Sequence, residues 1–257
     1  MTEATRHEPG TPCWVSLMVH RLDATQEFYG ELFGWRFEPG PQLLGPYVRG
    51  LLGGRDVAGI GRLPADRDLS PAWTPYLATD DADETAEAIR CSGGTVAVGP
   101  LTAADAGRLV ICSDPAGAVF GVWQAAAHLG GAVVGNPGTP AWNELLTRET
   151  ESVSKFYKTV FGYELDPVVS AEPDVVMLKV GERPVASLHG MGASLPRDRG
   201  AHWMTWFEVA DTDAAARRVT ELGGQVLLAP RDEPAGRLAT VADPEGAVFT
   251  IVRSAGR

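Results

Sequence analysis

Short apolar runs and amphipathic helical stretches alternate along the chain in a fixed order. Trp14–His20 is an apolar run of strand length. Asp23 with Gln26 then reads as a capping box. Thr25, Phe28, Tyr29, Leu32 and Phe33 recur at i, i+3, i+4, i+7 and i+8, one face of a helix, and Gly34 supplies its left-handed stop. Strand-like segments follow near 35–38, 46–51 and 56–62, separated by Pro39-Gly40-Pro41 and Gly53-Gly54. The same order restarts at Trp73. A strand over 73–79 leads to Asp81 and Glu84, which open a helix running to Gly93-Gly94. Strands near 95–98, 108–113 and 118–124 complete this second βαβββ unit. Its turn, Asp114-Pro115-Ala116-Gly117, has proline where φ is fixed and glycine where φ turns positive.

The whole pattern then recurs about 128 residues later. Phe28-Tyr29 and Phe33-Gly34-Trp35 return as Phe156-Tyr157 and Phe161-Gly162-Tyr163. Gly93-Gly94 returns as Gly223-Gly224, Gly107-Arg108-Leu109 as Gly236-Arg237-Leu238, and Asp114-Pro115-Ala116-Gly117 as Asp243-Pro244-Glu245-Gly246. A period this long marks a duplicated domain, not a solenoid. The expected organisation is a first domain over 11–126, a linker over 127–138 and a second domain over 139–254, four βαβββ units in all. The glycine- and proline-rich, aperiodic stretch 125–139 is the linker.

Composition narrows the function classes. Each half is long enough to bury a core of its own, and no segment approaches the roughly 18 apolar residues of a membrane span. The polar N-terminus reads as no secretory signal. Three cysteines, Cys13, Cys91 and Cys112, stand in no CxxC spacing and suit a reducing cytoplasm. A net charge of −11 argues against nucleic acid and anionic membrane as partners. With only three lysines among 22 basic residues and much alanine and glycine, the chain has a high-GC bacterial style.

Paired βαβββ units with these helix and hairpin motifs resemble the glyoxalase/bleomycin-resistance/extradiol-dioxygenase superfamily, also called vicinal oxygen chelate proteins. The resemblance covers roughly 11–126 and 139–254. It implies an α+β fold of two tandem domains, each curling a mixed sheet into a cup with helices outside and a small molecule inside. Metal-dependent members place ligands, usually His, Gln or Glu, on the first and last strands of each unit. Counting from the motifs, those positions fall here on Trp14, Thr74 and Gly121, and on Trp142, Met204 and Thr250. The remaining position, on the third sheet strand, falls near Gly59–Gly61 and Ser187–His189. Trp, Met and Gly cannot hold a divalent ion against water, and Thr alone is a poor ligand. No metal and no other cofactor is therefore expected.

Strand alternation names the cup lining. Trp14, Ser16 and Met18 share one face of the first strand, and Trp142, Glu144 and Leu146 share one face of its repeat. Thr74, Tyr76 and Trp123 join the first set; Met204, Trp206 and Thr250 join the second. Such walls suit a flat apolar or aromatic ligand. Trp35, Trp73 and Trp203 read as core. Glu144 is the inward carboxylate on a central strand and a candidate acid or base. His189 is a second catalytic candidate, and a cluster of His189, His202 and Glu208 is conceivable against the plainer reading that both histidines are partly solvated. Charged rim loops, 62–72 with Asp66, Arg67 and Asp68, and 192–200 with Asp198, suit lids or simple connections.

Three functions compete. A metal-free binder would sequester an antibiotic or planar natural product, and acidic charge would favour a cationic one. A metal-independent lyase- or isomerase-type enzyme would use Glu144 or a histidine. A metal-dependent glyoxalase or dioxygenase requires a different ligand register. A monomer whose halves mimic a dimer is expected, or a weak homodimer.

Overall fold

The computed structural model describes residues 6–64, 69–131, 135–168, 174–197 and 199–256. Each half of the chain builds one mixed eight-stranded sheet. The first half runs β1 (Pro12–Val19), α1 (Leu22–Phe33), β2 (Arg36–Pro39), β3 (Tyr47–Leu52), β4 (Arg55–Arg62), β5 (Ala72–Ala78), α2 (Ala82–Cys91), β6 (Thr95–Ala103), β7 (Gly107–Ser113) and β8 (Val119–Ala125). The second runs β9 (Pro140–Thr147), α3 (Glu151–Phe161), β10 (Glu164–Pro167), β11 (Val175–Val180), β12 (Arg183–Gly190), β13 (His202–Glu208), α4 (Thr212–Glu221), β14 (Gln225–Glu233), β15 (Gly236–Ala242) and β16 (Val248–Ser254). The strand orders, β2-β3-β4-β1-β5-β8-β7-β6 and β10-β11-β12-β9-β13-β16-β15-β14, are the same order used twice. The sheet of each half is thus two βαβββ units, as the repeat requires.

Packing divides the residues differently from the sheets. One compact unit takes Met1–Cys13, Thr74–Gly130 and Asn143–Met204; the other takes Trp14–Trp73, Gly131–Trp142 and Thr205–Arg257. Each half is long enough for a core of its own, yet both cores draw side chains from both halves. Phe28, Tyr29 and Phe33 of α1 share one core with Phe207, Phe249 and Ile251. Phe156 and Tyr157 of α3 share the other with Phe120, Val122 and Ile89.

The motif pairs explain this exchange. Tyr29 Oη donates to Asp243 Oδ2 at 3.2 Å and accepts from Trp73 Nε1 at 3.0 Å. Its repeat, Tyr157, donates to Asp114 Oδ2 at 3.3 Å and accepts from Trp203 Nε1 at 3.1 Å. Each aspartate also closes its own hairpin: Asp114 Oδ1 accepts from the Ala116 and Ala118 amides, and Asp243 Oδ1 from those of Glu245 and Ala247. The helix tyrosine of one half therefore satisfies the hairpin aspartate of the other. Trp35, Trp73 and Trp203 are all buried in these cores, as expected.

The helix starts differ from one another. Asp81 caps α2 by accepting from the Asp83 and Glu84 amides at 2.8 and 3.0 Å. Asp23 does not cap α1, because that helix already begins at Leu22 and places Asp23 inside its first turn. The hairpin residue Glu245 takes over, accepting from the His20 and Arg21 amides at 2.9 and 2.8 Å and from Thr25 Oγ1 at 3.1 Å. A carboxylate there also answers the positive end of the helix dipole.

Candidate functional site

On β1, Val15, Leu17 and Val19 belong to the helix-packed core, so Trp14, Ser16 and Met18 stand on the opposite face. There they meet Tyr47, the first residue of β3, which sequence reasoning did not single out. Tyr47 Oη accepts from Trp14 Nε1 at 2.9 Å and shares a 2.8 Å hydrogen bond with Ser16 Oγ. Its phenol lies across β4. A Cβ at Gly59 would stand 1.7 Å from Tyr47 Oη, and one at Gly61 would stand 2.7 Å from Met18 Sδ. Only glycine at 59 leaves room for the ring. Burial pushes the Tyr47 hydroxyl above the usual tyrosine value, with the Ser16 and Trp14 hydrogen bonds pulling the other way, so it stays a neutral phenol. Trp14 is only 8% exposed and Ser16 only 1%: this hollow is filled by the protein itself.

Farther along the same sheet, Tyr76 lies over Gly121 in the same manner, where an added Cβ would meet the ring at 2.2 Å. Trp123 packs on Gly107 and donates its indole N–H to the His128 carbonyl at 2.8 Å. Thr74 is half-buried on β5.

The second sheet repeats the register with different chemistry. Ser16 pairs with Gly59 and Met18 with Gly61; their counterparts are Glu144 with Ser187 and Leu146 with His189. Tyr47 stands opposite Gly61, and its counterpart Val175 stands opposite His189. The repeat thus exchanges Tyr47, Ser16, Gly59 and Gly61 for Val175, Glu144, Ser187 and His189. Glu144 Oε1 lies 3.8 Å from His189 Nδ1 and 3.5 Å from Ser187 Oγ, with the Glu144 and His189 side chains 17% and 23% exposed. Leu145 points into the core, which leaves Trp142, Glu144 and Leu146 half-buried on the other face of β9. A carboxylate beside an imidazole in a partly dry setting can orient a hydroxyl or move a proton.

The other predicted residues of this sheet fall as follows. Met204 is buried in the unit that holds Glu144. Trp206 and Thr250 pair across β13 and β16 in the other unit. The Trp206 Nε1 atom is buried and has no hydrogen-bond partner among the described residues. His202 Nδ1 is hydrogen-bonded to the Gly200 carbonyl at 2.8 Å, while Glu208 accepts from the Ser254 amide and hydroxyl at 3.0 and 2.5 Å. Asp66, Arg67, Asp68 and Asp198 of the expected rim loops lie outside the described residues.

Resident zinc and non-haem iron sites are usually built from about three or four protein side chains. Among the described residues no three His, Cys, Asp or Glu side chains converge, and Glu144 with His189 supplies two. No helix among the described residues is long and apolar enough to cross a membrane.

Two sheets of identical strand order, each from paired βαβββ units, define a member of the glyoxalase/bleomycin-resistance/extradiol-dioxygenase superfamily. The same fold occurs in a Mn(II)-bound glyoxalase from Novosphingobium aromaticivorans, at a TM-score of 0.66 and 16% identity over 96% of this chain and 82% of that one. It also occurs in the 2,3-dioxygenase LapB from Pseudomonas sp. KL28, at a TM-score of 0.68 and 13% identity over 98% and 94%. Within that superfamily the chain belongs to the glyoxalase-like proteins: the glyoxalase-like domain family matches residues 141–252. Its relatives include the protein named "Putative glyoxylase CFP32" from Mycobacterium tuberculosis, 36% identical over 99% of both chains. The anthracycline biosynthesis protein DnrV from Streptomyces peucetius is 36% identical over 96% of this chain and 94% of its own.

Proposed function

We propose that the chain binds a small aromatic or polyketide-like organic molecule on the second sheet, without a resident metal, in natural-product metabolism or resistance in the cytoplasm. One observation carries this reading. Where the first half is closed by its own phenol, the second half presents the half-buried Glu144 and His189 beside the buried Ser187. A few placed polar groups beside apolar side chains such as Leu146 are the usual composition of a small-molecule site. A relative named for anthracycline biosynthesis supports the polyketide class. The net charge of −11 favours a neutral or cationic ligand and no nucleic acid. Titration with 1,8-dihydroxyanthraquinone, followed by tryptophan fluorescence, tests the reading. Saturable binding weakened tenfold or more by Glu144→Gln or His189→Ala is expected, and no binding by the parent protein refutes it.

The Glu144–His189 contact favours a second reading, in which the bound molecule is also transformed. Glu144 takes a proton from an acidic O–H or C–H of the ligand, and His189, 3.8 Å away, stabilises or relays it. Glu144→Gln then retains binding and loses turnover. Ligand recovered unchanged after long incubation with the parent protein excludes this version.

A further inference from the structure

The phenol of Tyr47 fills the first hollow as a bound molecule would. It lies over two strand glycines, and its hydroxyl is held by an indole N–H at 2.9 Å and a serine hydroxyl at 2.8 Å. The ring belongs to the chain, yet every feature of its seat is that of a ligand site: a flat floor, an apolar neighbour in Met18, and two hydrogen-bonding groups converging on one oxygen. The register fixes the matching place in the second half, where Val175 stands for Tyr47 and carries no ring. The floor there has Ser187 and His189 in place of Gly59 and Gly61, and the partner of the hydroxyl is Glu144 in place of Ser16.

We propose that Tyr47 is a built-in occupant of the first hollow that restricts the chain to one ligand, and that the second hollow takes a hydroxyl-bearing aromatic ring at the place Tyr47 fills in the first. The second clause rests on the functional reading above; the first does not. Serine suits a neutral phenol that is always present. Glutamate accepts more strongly and is the better partner for an incoming O–H. The exchange of Ser16 for Glu144 therefore follows the change from a resident phenol to a visiting one.

The test uses p-cresol, the side chain of tyrosine as a free molecule, and measures stoichiometry by equilibrium dialysis on the full chain. The parent protein is expected to bind one equivalent and Tyr47→Ala two. Toluene, which lacks the hydroxyl, is expected to bind the new site at least tenfold more weakly, because Trp14 Nε1 and Ser16 Oγ would lose the phenol oxygen that now serves them. Tyr47→Phe keeps the ring and is expected to stay at one equivalent. The triple variant Val175→Tyr, Ser187→Gly, His189→Gly rebuilds the plug in the second half and is expected to bind none. If Tyr47→Ala unfolds alone, recovery of its unfolding transition on adding p-cresol, and not toluene, supports the same conclusion. Equal stoichiometry in the parent and Tyr47→Ala, or two equivalents in Tyr47→Phe, overturns the built-in occupant. None bound by the parent with one bound by Tyr47→Ala leaves the occupant standing and removes the reading of the second hollow.

Discussion

Replacing Tyr157 by Phe removes one oxygen from a site with no solvent. Tyr157 is fully buried, so neither of its partners can turn to water. Without the hydroxyl, Trp203 Nε1 loses its acceptor at 3.1 Å and Asp114 Oδ2 loses its donor at 3.3 Å. Asp114 keeps its hairpin amides on Oδ1, so the turn itself survives. Each buried polar group left unpaired costs about 1–3 kcal/mol, and the modest gain from a less polar ring offsets part of that. A net loss of about 2–4 kcal/mol follows, a large part of the roughly 5–15 kcal/mol that holds a domain together. Urea unfolding followed by fluorescence measures it as a lower midpoint at unchanged slope. Tyr29→Phe, whose partners Asp243 and Trp73 are different residues, should show a loss of similar size, and the two should add within about 0.5 kcal/mol. A loss below about 0.5 kcal/mol in either single variant would mean that the hydroxyl is not what these buried groups depend on.

Asp243 carries a pH signature. Burial raises its pKa above the ordinary 3.8, against the pull of the Ala247 and Glu245 amides and of Tyr29. A raised folded value means that its contribution is full below 3.8 and is lost as pH rises through the folded pKa. Asp243→Asn cannot ionise, so the stability advantage of the parent should shrink from acid towards neutral pH in urea titrations; a constant or widening gap contradicts this. Glu245→Ala strips the start of α1 of its carboxylate and should cost about 1–2 kcal/mol, the scale of a lost cap with a dipole contribution. Thermal unfolding indistinguishable from the parent would show that water replaces it.

The repeat is legible in the sequence because helix periodicity, glycine stops and hairpin prolines are local signals. Alternation along β1 and β9 likewise placed Ser16 and Glu144 on the face away from the helices without knowledge of their neighbours. Partnership was not legible. Asp114 and Asp243 sit in nearly identical turns, so nothing near Tyr29 says which of them it will meet. The capping box at Asp23 failed for a related reason: the capping group is Glu245, 224 residues from the Arg21 amide it binds. Tyr47 was missed because β3 has no clean alternation, and its signal lay on another strand. Gly59 and Gly61 leave a smooth floor where the repeat has Ser187 and His189. Two glycines one residue apart in a central strand ask what lies on them.

The exchanged cores also bear on what one half is able to do alone. A fragment of residues 1–131 keeps Tyr29 with Trp73 but loses Asp243, Phe207, Phe249 and Ile251. Burial of the three apolar side chains is worth about 1.5–3 kcal/mol each, which is comparable with the whole stability of a domain. The same fragment, however, carries the repeat of what it lost: Asp114, with Phe120 and Val122 behind it, released from Tyr157 and Phe156. A second copy supplies the fit, α1 of one fragment taking the hairpin aspartate of the other in both directions, a closed two-fold exchange. The fragment is therefore expected to fold only as a homodimer, with an unfolding midpoint that rises with protein concentration. Analytical ultracentrifugation alongside near-ultraviolet circular dichroism decides the matter. A fragment that is folded and monomeric at every concentration would mean that α1 finds a core within its own half, and the interleaved packing would lose its energetic basis.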